Sequence, residues 1–123
     1  MLVQYLTGLC CLHANSDSEA VDIIIGDMVM DIAAEKERDV DVTVTITGEE
    51  GVTHAFMAYE VKRERHPLDV TVIEQLCLKL ADMPSITHRA IVSASGYSES
   101  ARKKAACHGV EMYEFKCISR DLI

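Results

Sequence analysis

Residues 39–47 read DVDVTVTIT, and alternation this strict suits a β-strand far better than a helix. Val40, Val42, Val44 and Ile46 are expected on one face, with Asp39, Asp41, Thr43, Thr45 and Thr47 on the other. GEEG (48–51) supplies a turn, and THAFMAYEVKRE (53–64) runs back as the partner strand. The returning arm carries an oddity. Glu60 and Lys62 stand two apart inside an otherwise apolar run, where an unpaired charge costs several kcal/mol.

Register decides what these charges meet. If Thr47 pairs with Val52, Asp39 falls opposite Glu60; the next register of the same parity sets Asp41 opposite Glu60 instead. Both keep Asp39, Asp41, Glu60 and Lys62 on one face, because only a one-residue slip turns a strand's set over. Cross-strand neighbours lie roughly 5–8 Å apart, within reach of converging carboxylates. Two such carboxylates repel unless a cation sits between them. A divalent ion with oxygen ligands suits the pair, since Mg²⁺ commonly takes one or two carboxylates and fills its shell with water and phosphate. Lys62 on the same side can steady charge or orient an attacking water, which outlines a metal-assisted hydrolytic site. Asp39 reads as a surface or supporting acid, although register alone leaves it open as the ligand. Taken without this company, Glu60 and Lys62 would be an exposed strand ion pair contributing about 0–1 kcal/mol.

The rest of the chain places this hairpin in a domain. At 123 residues a single domain (1–123) is expected, with 1–34 as an N-terminal hairpin region and 38–115 as the core. VDIII (21–25) and MVMDIA (28–33) flank Gly26-Asp27, which reads as a tight turn. Leu2, Leu6, Leu9 and His13 share one helical face, weakened by Gly8 and the Cys10-Cys11 pair. Val70, Ile73, Leu76, Cys77 and Leu80 recur at helical spacing after a candidate N-cap at Asp69, and Pro84 ends that helix. RAIVSAS (89–95) reads as a strand. Ser98 caps a helix running through Cys107 with Gly109 as its stop, and VEMYEF (110–115) is a last strand. Strands and hairpins followed by α-β-α-β imply an α/β fold, a mixed sheet with helices packed on it.

Composition limits the partners. Twelve Lys and Arg against twenty Asp and Glu give a net charge of −8, which opposes general affinity for nucleic acid or anionic membrane. Tryptophan is absent, so no stacking platform for single strands stands out. Five cysteines without a CxxC pair read as reduced thiols of a cytoplasmic protein rather than a zinc site. The apolar start lacks a positive leader and is broken by polar residues, so neither a signal peptide nor a membrane span is expected.

Asp41, a hairpin, and then Glu60-Val61-Lys62 together resemble the D…(D/E)xK signature of the restriction-endonuclease-like nucleases. RDVDV (38–42) resembles the strand bearing that family's metal-binding Asp. EQL (74–76) resembles the Gln-bearing helix of its Mrr-type branch, and IVSASGYSESARKKAACHGVEMYEF (91–115) resembles that branch's strand, turn, Ala-rich helix and final strand. The resemblance implies a central mixed sheet flanked by helices. Asp41 and Glu60 would be metal ligands, Lys62 would assist the water, and Gln75 would be a supporting polar residue. It further implies Mg²⁺, with Mn²⁺ able to substitute, and hydrolysis of DNA phosphodiesters, with RNA left open. Cutting both strands of a duplex favours a homodimer, and the acidic total leaves room for another subunit that supplies DNA affinity. Family members often carry an upstream Glu on an N-terminal helix; Glu19 is the candidate here, since Glu35 and Glu37 stand too close to the Asp strand. The alternative is a nuclease-fold module that binds protein or nucleic acid through an incomplete site. Arg63, Arg65, His66, Arg102, Lys103 and Lys104 are candidate phosphate contacts.

Overall fold

The computed structural model describes residues 20–114. Five strands form one sheet in the order β1-β2-β3-β4-β5: β1 (Ala20–Asp31), β2 (Lys36–Thr47), β3 (Thr53–Lys62), β4 (His88–Ser93) and β5 (Val110–Glu114). β1, β2 and β3 are antiparallel neighbours, whereas β4 and β5 join parallel. Two helices supply the crossovers, α1 (Val70–Ala81) after β3 and α2 (Glu99–Cys107) after β4. The fold is therefore α/β with a mixed sheet, as the order of sequence patterns implied.

Both helices start and stop where their local chemistry dictates. The Asp69 carboxylate accepts from the backbone N–H groups of Thr71 and Val72, and the Ser98 hydroxyl accepts from Ala101 N–H. Gly109 adopts φ +68 just past α2, a left-handed conformation that glycine takes at little cost. Ile73, Leu76 and Cys77 of α1 pack with Ala101 and Ala105 of α2 over Ile91 and Val110 of the sheet. Leu80 continues the buried stripe of α1 onto Val29, Val40 and Ala58. Both described helices thus cover the same face. The opposite face is an apolar layer of Val42, Val44, Tyr59, Ala90 and Val92, over which no described helix packs.

Two expectations fail in the first half of the sheet. Gly26-Asp27 is no turn: β1 runs unbroken from Ala20 to Asp31 in a single register with β2. The reversal comes later, at Ile32–Glu35, where Asp31 Oδ1 accepts from Ala33 N–H (3.0 Å) and Ala34 N–H (2.9 Å). The sequence signal for that turn was only Asp31 itself, whose side chain can cap amides that follow it, and Gly-Asp was the stronger turn dipeptide. Within the expected 1–34 hairpin region, residues 20–31 instead form one strand of the main sheet and 32–34 begin the turn into β2. The candidate helix at residues 1–13 lies outside the described residues.

The second failure concerns the alternation of β2. Val42 and Val44 pack with Tyr59 on the outer face, but Val40 packs with Ala58 and Leu80 on the helix face. The strand changes faces between them. Gly26 on β1, at φ +75, and Asp41 on β2 fall at the same level and are skipped in the ladder, which resumes at Asp27↔Val40. A glycine with positive φ lets the paired strands pass through this irregularity together. Asp39 consequently leaves the face expected of it.

Candidate active site

β2 and β3 pair from Thr47↔Thr53 to Val42↔Tyr59, with an irregularity next to the hairpin turn. This is the register that directs Asp41 toward Glu60. The ladder stops there, although β2 extends back to Lys36 and β3 on to Lys62. Beyond Val42 and Tyr59 the two strands form a fork, with β3 held instead by β4 through Glu60↔Ile91 and Lys62↔Ser93. The expected site residues stand at that fork.

Asp41 occupies the notch. Its Oδ2 accepts from Val61 N–H at 2.7 Å, so a side chain takes over where backbone pairing has ended. Glu60 points to the helix face and is only 3% exposed. Its carboxyl is pushed above the ordinary glutamate range, chiefly by desolvation and further by the Asp41 charge, while Lys79 and Lys62 pull it back. Lys62, half-buried, and Gln75 of α1 line the same cleft of about 620 Å³ as Glu60. Glu60, Lys62 and Gln75 thus share one opening, while Asp41 is clasped to Val61 N–H on the neighbouring strand, with its charge felt at Glu60. That opening adjoins the carboxyl end of β3 where it runs parallel to β4, a position where α/β sheets commonly hold ligands.

Asp39 does not join them. Its side chain is exposed, and what it contributes is its backbone carbonyl, which accepts from Lys79 Nζ at 2.7 Å. Lys79 was not singled out in the sequence, yet it is central here. Its Nζ lies 3.0 Å from Glu60 Oε1, in an ion pair whose side chains are 15% and 5% exposed. Gln75 and Lys79 are one turn apart on α1, so they share a helix face; that spacing was the available signal. Asp31 and Arg38 also line the cleft and pair with each other at 3.2 Å. Asp31 is held below the ordinary aspartate range, first by Ala34 N–H and then by Arg38, so it serves the turn.

Glu19 lies outside the described residues. Among the described residues no group of three or more His, Cys, Asp or Glu converges to hold a metal ion. Of the candidate phosphate contacts, Arg63, Arg65 and His66 are exposed just beyond β3. Arg102 pairs with Glu99, and Lys104 with Glu74 at 3.6 Å, so their charge is partly answered within the chain. Cys77 is buried and Cys107 exposed, both as free thiols. No described helix is long and apolar enough to cross a membrane.

No protein-family model matches the chain, and neither does any curated protein. Solved structures do resemble it. A protein of unknown function, AF1548, is 18% identical with a TM-score of 0.65, over 92% of this chain and 59% of its own. A repair endonuclease from Pyrococcus abyssi is 16% identical with a TM-score of 0.50, over 80% of this chain and 38% of its own. The likeness is one of fold, and the chain spans well under two thirds of either neighbour's length.

Proposed function

We propose that this chain is a Mg²⁺-dependent endonuclease domain of the restriction-endonuclease-like type that hydrolyses DNA phosphodiester bonds. The observation that carries the reading is the fork, where Asp41 is hydrogen-bonded to Val61 N–H between Glu60 and Lys62, the two residues that line the cleft. A repair endonuclease among the structural neighbours supports it. The donor chemistry fits a hard divalent ion: both acids offer carboxylate oxygens, and Glu60 sits desolvated where positive charge is needed. Asp41 and Glu60 would hold such an ion, which when bound would polarise the substrate phosphate and lower the pKa of a water. Lys62 would steady the developing negative charge and orient the water, and Gln75 would position the phosphate from the helix side. A net charge of −8 leaves DNA affinity to another subunit, while cutting both strands of a duplex favours a homodimer.

The Lys79–Glu60 ion pair favours a second reading, a non-catalytic module whose buried acid is satisfied without metal. Plasmid nicking in Mg²⁺ or Mn²⁺ separates the two. The wild type is expected to nick DNA, and Lys62→Ala and Glu60→Gln to lose roughly 100-fold or more. A wild type inert on duplex, single-stranded and branched DNA, or variants that cut equally well, would leave the module. Cleavage of RNA alone would move the substrate but keep the chemistry.

A further inference from the structure

Lys79 bridges the two arms of the fork. It reaches from α1 to Asp39 O on β2 and to Glu60 Oε1 on β3, just beyond the point where their ladder ends. That is where a bridging cation would act, and an ammonium is already there. Lys62 adds a second positive charge at the same cleft, and its field reaches Glu60. At the fork two carboxylates are already matched by two ammonium groups before any metal arrives, and Asp82 adds one negative charge elsewhere on the cleft lining. Arg38 does not alter the balance, because Asp31 answers it.

We propose that Lys79 is a resident counter-ion, which must release Glu60 before a divalent ion can be held between Asp41 and Glu60. This rests on the active-site reading above and deepens it. A divalent ion added to this cluster leaves a positive surplus, which an anionic phosphodiester relieves. Retention of the ion is therefore coupled to the phosphate, and the protein alone holds metal weakly. The flexible lysine stem lets the ammonium leave Glu60 while its stem stays packed, and the released charge meets the phosphate in the cleft. Lys79 is a positioning residue: it sets when the carboxylates become available.

Mn²⁺ binding, followed by electron paramagnetic resonance and calorimetry near pH ~8 where carboxylates are ionised, tests the proposal without relying on catalysis. The wild type should bind Mn²⁺ weakly and gain roughly tenfold with a phosphorothioate-linked DNA duplex. Lys79→Gln should bind Mn²⁺ alone roughly tenfold tighter than wild type and gain little from the duplex, while Lys79→Arg keeps the wild-type pattern. A merely structural lysine would give the opposite sign, because its loss would loosen the site. Lys79→Met, which keeps the stem, serves as the second neutral variant if the amide fails to fold. Folded neutral variants that bind Mn²⁺ no tighter than wild type overturn the proposal. Asp41→Asn and Glu60→Gln show which idea has failed. If they abolish Mn²⁺ binding while Lys79→Gln does not tighten it, only the role of Lys79 falls; if they leave it intact, the ion sits elsewhere and both readings fall.

Discussion

The two ends of the β2–β3 hairpin are built on different principles. From Thr47↔Thr53 to Val42↔Tyr59 the strands are zipped by their backbones, and their outer face is an apolar layer in which Val42 and Val44 are fully buried. Beyond that point the backbones part, and three side-chain contacts do the holding: Asp41 to Val61 N–H, and Lys79 to Glu60 and to Asp39 O. The zipped end satisfies its backbone polar groups by pairing them with each other. At the fork the same hydrogen-bonding demand passes to charged side chains, which a ligand can compete for. Stability is concentrated at one end of a single hairpin and chemistry at the other.

The largest expected effect attacks the zipped end. Val44→Asp puts a charge into a site with no exposure, beside Tyr59, Ile23 and Val92, and opposite no cation. The cost should be on the order of 4 kcal/mol or more, enough to unfold much of the population. Urea titration followed by circular dichroism measures it. If the variant melts like the wild type, the apolar layer is not what secures the hairpin, and the contrast between its ends collapses.

This contrast also separates what could be read in the sequence from what could not. α1 and α2 were legible because their N-caps, Asp69 and Ser98, act within one turn of sequence. β3 was legible too, and so was the pairing parity that unites Asp41 with Glu60. What escaped depended on contacts far apart in the chain. Alternation across residues 39–47 predicts one face for Val40 and Val42, and nothing local announces that Gly26, on a neighbouring strand, lets both strands switch faces at Asp41. Gly26 was instead assigned to a turn, since a positive-φ glycine serves a turn or a strand irregularity equally well. Lys79 was hidden for the same reason. Its significance lies in Glu60, nineteen positions away, and a helix pattern reveals only which residues share its own face.

A second effect, smaller than the unfolding of Val44→Asp, addresses the fork through pH. Because burial raises the Glu60 carboxyl above its unfolded value, the folded state binds that proton more readily than the unfolded state. Glu60 therefore favours folding most at pH below its unfolded pKa, and this contribution is lost as pH rises through the raised folded value. Asp31 runs the other way, since its lowered carboxyl contributes above its unfolded pKa and loses that contribution as pH falls. Subtracting the stability profile of Glu60→Gln from that of wild type isolates the first trend. The difference should turn against wild type as pH climbs from the ordinary carboxylate range toward neutrality. A flat difference would mean that Lys79 already compensates the burial in full, and the fork would be as settled as the zipped end.

The smallest expected change in stability is the most discriminating. Asp41→Asn keeps an oxygen that accepts from Val61 N–H, so the contact closing the notch survives in neutral form. A neutral acceptor is weaker than a carboxylate by about half, but the substitution also removes the repulsion that Asp41 exerts on Glu60. These changes oppose each other, and the net effect should stay below about 1 kcal/mol by urea titration. Asp41→Ala should cost more, about 1–3 kcal/mol, because it leaves Val61 N–H without that acceptor. Nicking activity should not follow this order: both variants lack the charge, so both should be inactive. If Asp41→Asn cuts DNA at the wild-type rate, the carboxylate serves only as a clasp for the open strand ends, and the fork differs from the zipped end in shape alone.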